Sequence, residues 1–219
     1  KLGWNSAELA HVKFGMVLGE DGKKLATREG KVIPLQEVID KIVALAEGVV
    51  KEKSPELPKE ETDAIAKAVG IGALKYNDLK QHPHTDVVFD WKAMLDISGN
   101  SGPYLQYTYA RMVNIFEKAD DRKKGDTALL AEPEEEKLMK RLLEFPEAVE
   151  KCAEFNTLNG LALYLYELAN DANRFYESVR VLEDDNSKRR NARLMLVETV
   201  AAVLGRGLNL LGIKILARI

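Results

Sequence analysis

The sequence has little cysteine, few aromatic residues and no long apolar run. Its single cysteine, Cys152, excludes an internal disulfide and a structural zinc site built from cysteines. Aromatic residues make up 7% of the 219 residues. No apolar run approaches the roughly 18 residues that a membrane-spanning helix needs, and no signal-peptide pattern opens the chain. We therefore expect a cytoplasmic protein that does not enter a membrane.

Charge is plentiful but unevenly distributed. Charged residues are 31% and apolar residues 46% of the chain, which is typical of a folded, helix-rich protein. The formal net charge of −3 argues against a generally basic nucleic-acid-binding protein. Residues 188–219 nevertheless hold one acid, Glu198, and seven basic residues: Lys188, Arg189, Arg190, Arg193, Arg206, Lys214 and Arg218. This asymmetry indicates a polyanionic partner, or equally a basic helix face turned to water or to an acidic helix.

Apolar spacing predicts helices over most of the chain. One helix begins at Pro34 and breaks at residues 54–58, where two prolines occur. The strongest helical patterns lie at residues 158–176 and 187–211. Two short stretches are predicted to be extended, residues 11–18 and residues 87–91. The sequence therefore predicts an all-α fold, a bundle of about six helices preceded by a short non-helical segment.

A helix that begins at Pro103 has two separate faces, at about 100° per residue. The face predicted to be core carries Leu105, Tyr109, Met112 and Phe116. The second face carries Tyr104, Tyr107 and Arg111. Two aromatic rings beside a guanidinium form a platform on which an unstacked base can lie. Alternatively, the two rings pack against a neighbouring helix and leave their hydroxyls in water.

Other polar clusters are weaker candidates. The basic, glycine-bracketed loop at residues 22–30 suits phosphate oxygens but lacks the pattern of a Walker loop, and a solvated hairpin tip fits it better. His82 and His84 have no neighbouring ligands to complete a zinc site, so no metal is predicted. Cys152 has no histidine close in sequence, which favours a structural role. By themselves, the residues predict a helical binding module without a complete active site.

Four blocks of sequence resemble the arginyl-tRNA synthetases, a class I aminoacyl-tRNA synthetase family, and keep that family's order. They are residues 12–28, 69–91, 99–107 and 191–219. The first contains Lys-Leu-Ala-Thr-Arg at residues 24–28, which resembles the class I signature loop. The most diagnostic is Gly-Asn-Ser-Gly-Pro-Tyr-Leu-Gln-Tyr at residues 99–107. The last resembles the closing helix of the family's anticodon-binding domain.

The resemblance implies a C-terminal piece of an arginine–tRNA ligase, an enzyme of protein biosynthesis that activates arginine with ATP and charges arginine tRNA. Residues 1–33 would end the catalytic domain with the signature loop, residues 34–85 would be connecting helices, and residues 86–219 would form the helical anticodon-binding domain. The chain begins with Lys1, and the family's ATP-holding histidine signature is missing. We therefore expect a fragment that is inactive alone and binds no cofactor, whereas the full enzyme would use ATP and Mg²⁺.

The resemblance also implies site residues. The family's anticodon contacts correspond to Asn100, Tyr104, Tyr107, Arg111 and Ile219, and its ATP-stabilising signature loop corresponds to Lys24, Thr27 and Arg28. The signature loop departs from the general class I form, because Thr27 stands in place of its second lysine, a loss common in this family, and Ala26 in place of its serine. Ile219 replaces the family's usual methionine. The expected partner is the anticodon stem-loop of arginine tRNA, bound by a monomer, while arginine and ATP would bind the catalytic domain. The alternative is a helical protein–protein interaction module of the same ancestry without RNA binding.

Overall fold

The computed structural model describes residues 3, 10–19, 21–23, 33–119, 123 and 125–218. Within these residues the chain forms eight α-helices, one 3-10 helix (Thr127–Leu129) and two short strands. The helices are α1 (Leu35–Lys53), α2 (Lys59–Leu79), α3 (Trp91–Met94), α4 (Gly102–Glu117), α5 (Pro133–Leu143), α6 (Phe145–Phe155), α7 (Asn159–Ser178) and α8 (Ser187–Leu210). The all-α prediction is confirmed.

The helix count exceeds the predicted six for two local reasons. Helix α3 is a single turn, too short to show a helical period, and it begins where Asp90 Oδ1 accepts a hydrogen bond of 2.9 Å from the Ala93 amide. A second break separates α5 from α6 at Glu144. Pro146 lies in the first turn of α6, where it cannot donate the backbone hydrogen bond that would continue α5.

The two strands tie the N-terminal segment to the helices. Strand β1 (Val17–Leu18) pairs in parallel with β2 (Val87–Val88), so the predicted extended stretches meet, although only two residues of each form the ladder. The Gly15 amide donates to the carbonyl of Pro83 at 2.7 Å. A Cβ on Gly15 would lie 2.3 Å from the carbonyl oxygen of Thr85, so this close approach requires glycine.

The core is divided into two clusters of buried side chains. The smaller lies between α1 and α2 and includes Ile42 and Val69. The larger fills the space among α4, α5, α7 and α8, with Leu105 and Met112 of α4 fully buried in it. Helix α4 contacts α2, α7 and α8, so it lies at the centre of the molecule. No helix in the described residues is both long enough and apolar enough to cross a membrane.

Acidic side chains neutralise part of the basic C-terminal region. Arg193 is buried and pairs with Glu135 of α5 at 2.6 Å and with Asp184 at 2.7 Å. Arg189 also pairs with Asp184, and its hydrogen bond holds the pKa of that carboxyl below its ordinary value. Arg218 pairs with the exposed Glu56 at 2.8 Å. These three arginines of the basic C-terminal region therefore pair with acidic residues of the same chain, as one of the two interpretations of the charge asymmetry expects.

Candidate nucleic-acid interface

The loop before α4 is fixed by hydrogen bonds within itself and to α2. The carboxylate of Asp96 accepts from the Ser98 amide at 2.8 Å and from the Ser98 hydroxyl at 2.7 Å, and these bonds lower the pKa of Asp96. The hydroxyl of Tyr76 donates to Asn100 Oδ1 at 2.7 Å, and Lys80 Nζ donates to the Asn100 carbonyl at 2.9 Å. Asn100 is exposed, and these two hydrogen bonds hold it in a defined position.

Tyr104 lies in the core, and the prediction that it shares an exposed face with Tyr107 is wrong. Its side chain is 9% exposed because α7 packs against that side of α4. The hydroxyl donates to Asn170 Oδ1 at 2.7 Å and accepts from Asn173 Nδ2 at 3.0 Å, while the ring meets the edge of Tyr166. Burial raises the pKa of Tyr104. The alternative of packing against a neighbouring helix applies here, with asparagines in place of water.

Tyr107 and Arg111 do lie together at the surface, and both are half-buried. The Arg111 guanidinium lies 4.8 Å from the centroid of the Tyr107 ring and 5.0 Å from that of the Tyr176 ring. It donates to Asn173 Oδ1 at 2.6 Å and to the Tyr107 hydroxyl at 3.2 Å. Two rings and two hydrogen bonds therefore restrict the arginine to one orientation.

Tyr176 and Asn173 are the site residues that the sequence analysis missed. They lie on α7, where Tyr166, Asn170, Asn173 and Glu177 recur at helical spacing beside the buried apolar face. A polar and aromatic stripe next to a core face is the signal that would have identified Asn173, whereas Tyr176 is not part of that stripe. Tyr176 is 45% exposed, so much of its side chain is open to a ligand.

A groove of about 520 Å³ opens beside this arrangement. Its walls come from α4, from the end of α7 and from the loop that follows α7, and Tyr107, Arg111 and Tyr176 lie along them. Its charged lining residues are Arg111, Lys118, Arg180, Arg218, Glu177 and Glu183. Cations outnumber acids, and the acid Glu183 lies 3.6 Å from Arg180. Aromatic surface and cations in one groove suit a nucleobase with its phosphate.

The structure brings some of the predicted site residues together and leaves others apart. Tyr107 and Arg111 line the groove, as does Arg218, whereas Asn100, which precedes α4, does not. Ile219 lies outside the described residues. Three predicted signature-loop residues also lie outside the described residues: Lys24, Thr27 and Arg28.

The histidines and the cysteine form no second site in the described part of the chain. The rings of His82 and His84 meet edge to face, with their centroids 5.0 Å apart. No three His, Cys, Asp or Glu side chains among the described residues are grouped as a metal ion would require. Cys152 is half-buried and packs against the larger core cluster.

Comparison with known proteins identifies similar families for both parts of the chain. Residues 1–91 match the catalytic domain of class I tRNA synthetases (R), and residues 105–219 match the DALR anticodon binding domain. The arginine–tRNA ligase of Enterobacter sp. (strain 638) is 41% identical over 216 residues, which cover 97% of this chain and 37% of that protein. The arginine–tRNA ligase of Escherichia coli (strain K12 / DH10B) is 39% identical with the same coverage. The chain thus spans 37% of the length of these relatives.

Two solved structures show the same fold. The arginyl-tRNA synthetase of Thermus thermophilus superposes with a TM-score of 0.85 at 31% identity, over 94% of this chain and 35% of that one. The arginyl-tRNA synthetase of Plasmodium falciparum gives a TM-score of 0.77 at 26% identity, over 94% of this chain and 34% of that one. The arrangement of the helices around α4 is therefore similar to that in part of each enzyme.

Proposed function

The chain belongs to the arginyl-tRNA synthetase family, and on that premise we propose that it is the C-terminal part of an arginine–tRNA ligase that binds the anticodon stem-loop of arginine tRNA. The single observation that carries this proposal is Arg111, which is fixed between the rings of Tyr107 and Tyr176 in an open groove. An unpaired anticodon base is the ligand whose chemistry matches that groove.

Stacking supplies the first part of the proposed recognition. Unpaired bases have two flat faces, and stacking one of them on an aromatic side chain is worth about 1–3 kcal/mol. Tyr107 and Tyr176 offer rings from two different helices, α4 and α7, so a base that touches both must enter the groove between the helices. Arg111 adds a guanidinium plane and hydrogen-bond donors, which favour the polar edge of the base or a phosphate.

Phosphate contacts supply the second part. Lys118, Arg180 and Arg218 lie along the groove, where they can approach the backbone on either side of a bound base. Arg180 and Arg218 would exchange their exposed partners, Glu183 and Glu56, for phosphate. The formal net charge is −3, so RNA would be attracted by this local cluster of cations and not by the molecule as a whole. Neutralising phosphates with lysine and arginine releases counterions, and the affinity is therefore expected to fall as the salt concentration rises.

The ligase reaction is proposed for the longer enzyme. There, arginine would be activated with ATP and Mg²⁺ and transferred to the tRNA, with Lys24, Thr27 and Arg28 of the signature loop stabilising the triphosphate. The present chain would supply tRNA recognition and would be inactive without the rest of the catalytic domain. A cytoplasmic location and a monomeric state belong to the same proposal.

A pair of tyrosine variants tests the binding role. Tyr107→Ala removes a ring from the groove and should weaken binding of the arginine tRNA stem-loop by about 1–3 kcal/mol. Tyr109→Ala is the matched control, because Tyr109 lies on the same helix but faces α8, where its ring contacts Gly205. Affinities would be measured by fluorescence anisotropy with both variants confirmed as folded. Equal affinities for the two variants would contradict the proposal. Absence of RNA binding by the unsubstituted chain would favour a protein–protein interaction module.

A further inference from the structure

We propose that Gln106 is a positioning residue for this groove, because its buried amide fixes the path of the C-terminal tail, residues 211–218. The tail ends at the rim of the groove, where Arg218 is a lining residue. The inference rests on the proposed function, since it assigns Gln106 a part in RNA binding without contact to RNA. Gln106 precedes Tyr107 in sequence, but its side chain is fully buried and does not line the groove.

The amide of Gln106 connects three parts of the fold. Its Nε2 donates to the carbonyl of Lys214 in the tail at 2.8 Å and to the carbonyl of Ala68 in α2 at 3.3 Å. Both partners are backbone acceptors, so only the NH₂ group of the amide can face them. The side chain therefore joins α4 and α2 to the tail in one defined orientation.

The amide oxygen of Gln106 contributes no hydrogen bond within the described part of the chain, so the polar contribution of this side chain consists of the two bonds that Nε2 donates. Gln106 Oε1 is buried and has no hydrogen-bond partner among the described residues. Burying an unpaired amide oxygen is unfavourable, and an apolar side chain of the same length would avoid that cost. What an apolar residue cannot supply is the bond to the Lys214 carbonyl.

The surrounding helices leave room for this side chain and little else. A Cβ on Gly72 of α2 would lie 3.0 Å from both Nε2 and Oε1 of Gln106. A Cβ on Gly102 of α4 would lie 2.5 Å from the carbonyl oxygen of Gly72. The two glycines thus let α2 and α4 approach closely around the amide. Because the packing is close, the amide has little freedom to move, and the position of the Lys214 carbonyl is set by the two helices.

Backbone hydrogen bonds to the end of α8 hold the tail as far as Ile213, and the side-chain contacts described for the tail, other than that from Gln106, are at the surface. Gly212, with φ of +65°, turns the chain out of α8. Its carbonyl accepts from the exposed Lys75, and Arg218 forms an exposed ion pair with Glu56. Ion pairs between exposed side chains contribute little, so the half-buried bond from Gln106 is the side-chain contact that best restricts the tail.

The tail also crosses from one core cluster to the other. Ile213 is buried in the larger cluster, and Leu216 packs against the smaller. Lys214, which receives the bond from Gln106, lies between these two residues. Loss of that bond would leave residues 214–218 held by the partly buried Ile215 and Leu216 and by the exposed ion pair of Arg218, and Arg218 would then be placed less precisely at the groove.

Gln106→Met tests the inference, since methionine has a similar length and no donor. We expect faster hydrogen–deuterium exchange at the amides of residues 214–218 in the 219-residue chain. We also expect a Kd for the arginine tRNA stem-loop about tenfold higher, which corresponds to about 1.4 kcal/mol. In the full chain carrying Arg218→Ala, the same substitution should raise the Kd little further, because the groove residue through which it acts is gone.

Leu138→Val is the control for a general loss of stability, because Leu138 is fully buried on α5 and does not line the groove. It should lower stability without changing tail exchange or the Kd. Unchanged tail exchange in Gln106→Met would overturn the inference without reference to RNA. Faster exchange with an unchanged Kd would overturn the positioning role alone. Absence of anticodon-dependent binding by the unsubstituted chain would instead overturn the proposed function, and the role of Gln106 with it.

Discussion

Replacing Asn173 by alanine removes the α7 side chain that hydrogen-bonds three residues of α4, including Arg111 in the groove. Asn173 donates to the Tyr104 hydroxyl at 3.0 Å and to the Thr108 hydroxyl at 2.9 Å, and it accepts from Arg111 at 2.6 Å. The substitution leaves the Tyr107 and Tyr176 rings in place. It therefore separates the orientation of Arg111 from the stacking surface itself.

The loss of folding free energy in Asn173→Ala depends on which hydrogen bonds its former partners still make. The Tyr104 hydroxyl still donates to Asn170, and the Thr108 hydroxyl still donates to the Tyr104 carbonyl, so neither is left wholly unpaired. Arg111 is half-buried and can turn to water. The loss is then chiefly the net value of the two neutral hydrogen bonds, to Tyr104 and Thr108, or about 1–3 kcal/mol in all. Urea denaturation measures it.

The cost in binding has a different origin. Freed from Asn173, Arg111 must be ordered again when RNA binds, and immobilising one long side chain costs about 0.5–1.5 kcal/mol, or a Kd about 2- to 10-fold higher. Asn170→Ala is the control, because Asn170 accepts from Tyr104 and lies one turn away on the same helix. It should lower stability and leave the Kd unchanged. If Asn173→Ala bound RNA as tightly as the unsubstituted chain, the claim that a fixed Arg111 contributes to binding would be refuted.

Two further predictions concern the buried ion pairs. Arg193→Met leaves the buried Glu135 without its cation and Asp184 with Arg189 alone, and should cost about 3–5 kcal/mol in urea denaturation; a cost below about 1 kcal/mol would contradict the assigned pairing. The pKa of Asp184 is held below its ordinary value of 3.8, chiefly by the hydrogen bond from Arg189, so the unfolded chain binds this proton more tightly than the folded one. The resulting stability should be present above about pH 4 and be lost as the pH falls through the folded-state pKa. Melting temperatures of the unsubstituted chain and of Asp184→Asn should therefore converge in acid, and a constant difference between them would contradict this.

Local signals in the sequence were enough to predict most helix positions. Pro103 and residues 54–58 mark boundaries because proline restricts the backbone whatever surrounds it. The helix predicted at residues 187–211 is α8, which the side chain of Asn186 caps by accepting from the Lys188 amide. Such signals act within a few residues, and tertiary packing did not override them here.

Local signals did not predict how many faces of α4 are buried. Leu105 and Met112 are buried as predicted, because apolar residues at helical spacing must face some partner. A helical period identifies which residues share a face, but it does not say how many faces are covered. Three helices contact α4, so Tyr104 is buried as well, while Tyr107, three residues later, remains half-buried.

Partners distant in sequence set the rest of the site. Arg193 is paired with a residue 58 positions away, and Arg111 with a residue 62 positions away. Gln106 reaches 108 positions along the chain to the tail. No local pattern encodes these pairings, because they depend on which helices become neighbours in the folded chain.

The central claim is that this groove reads the anticodon of arginine tRNA. The most direct measurement compares the Kd of the 219-residue chain for two stem-loops that differ only in their anticodon bases, across a series of salt concentrations. Phosphate contacts should weaken equally for both stem-loops as salt rises. We predict that the arginine anticodon keeps a preference of about tenfold or more at every salt concentration, the effect of at least one lost base stack. Equal affinities for the two stem-loops throughout the series would contradict the claim.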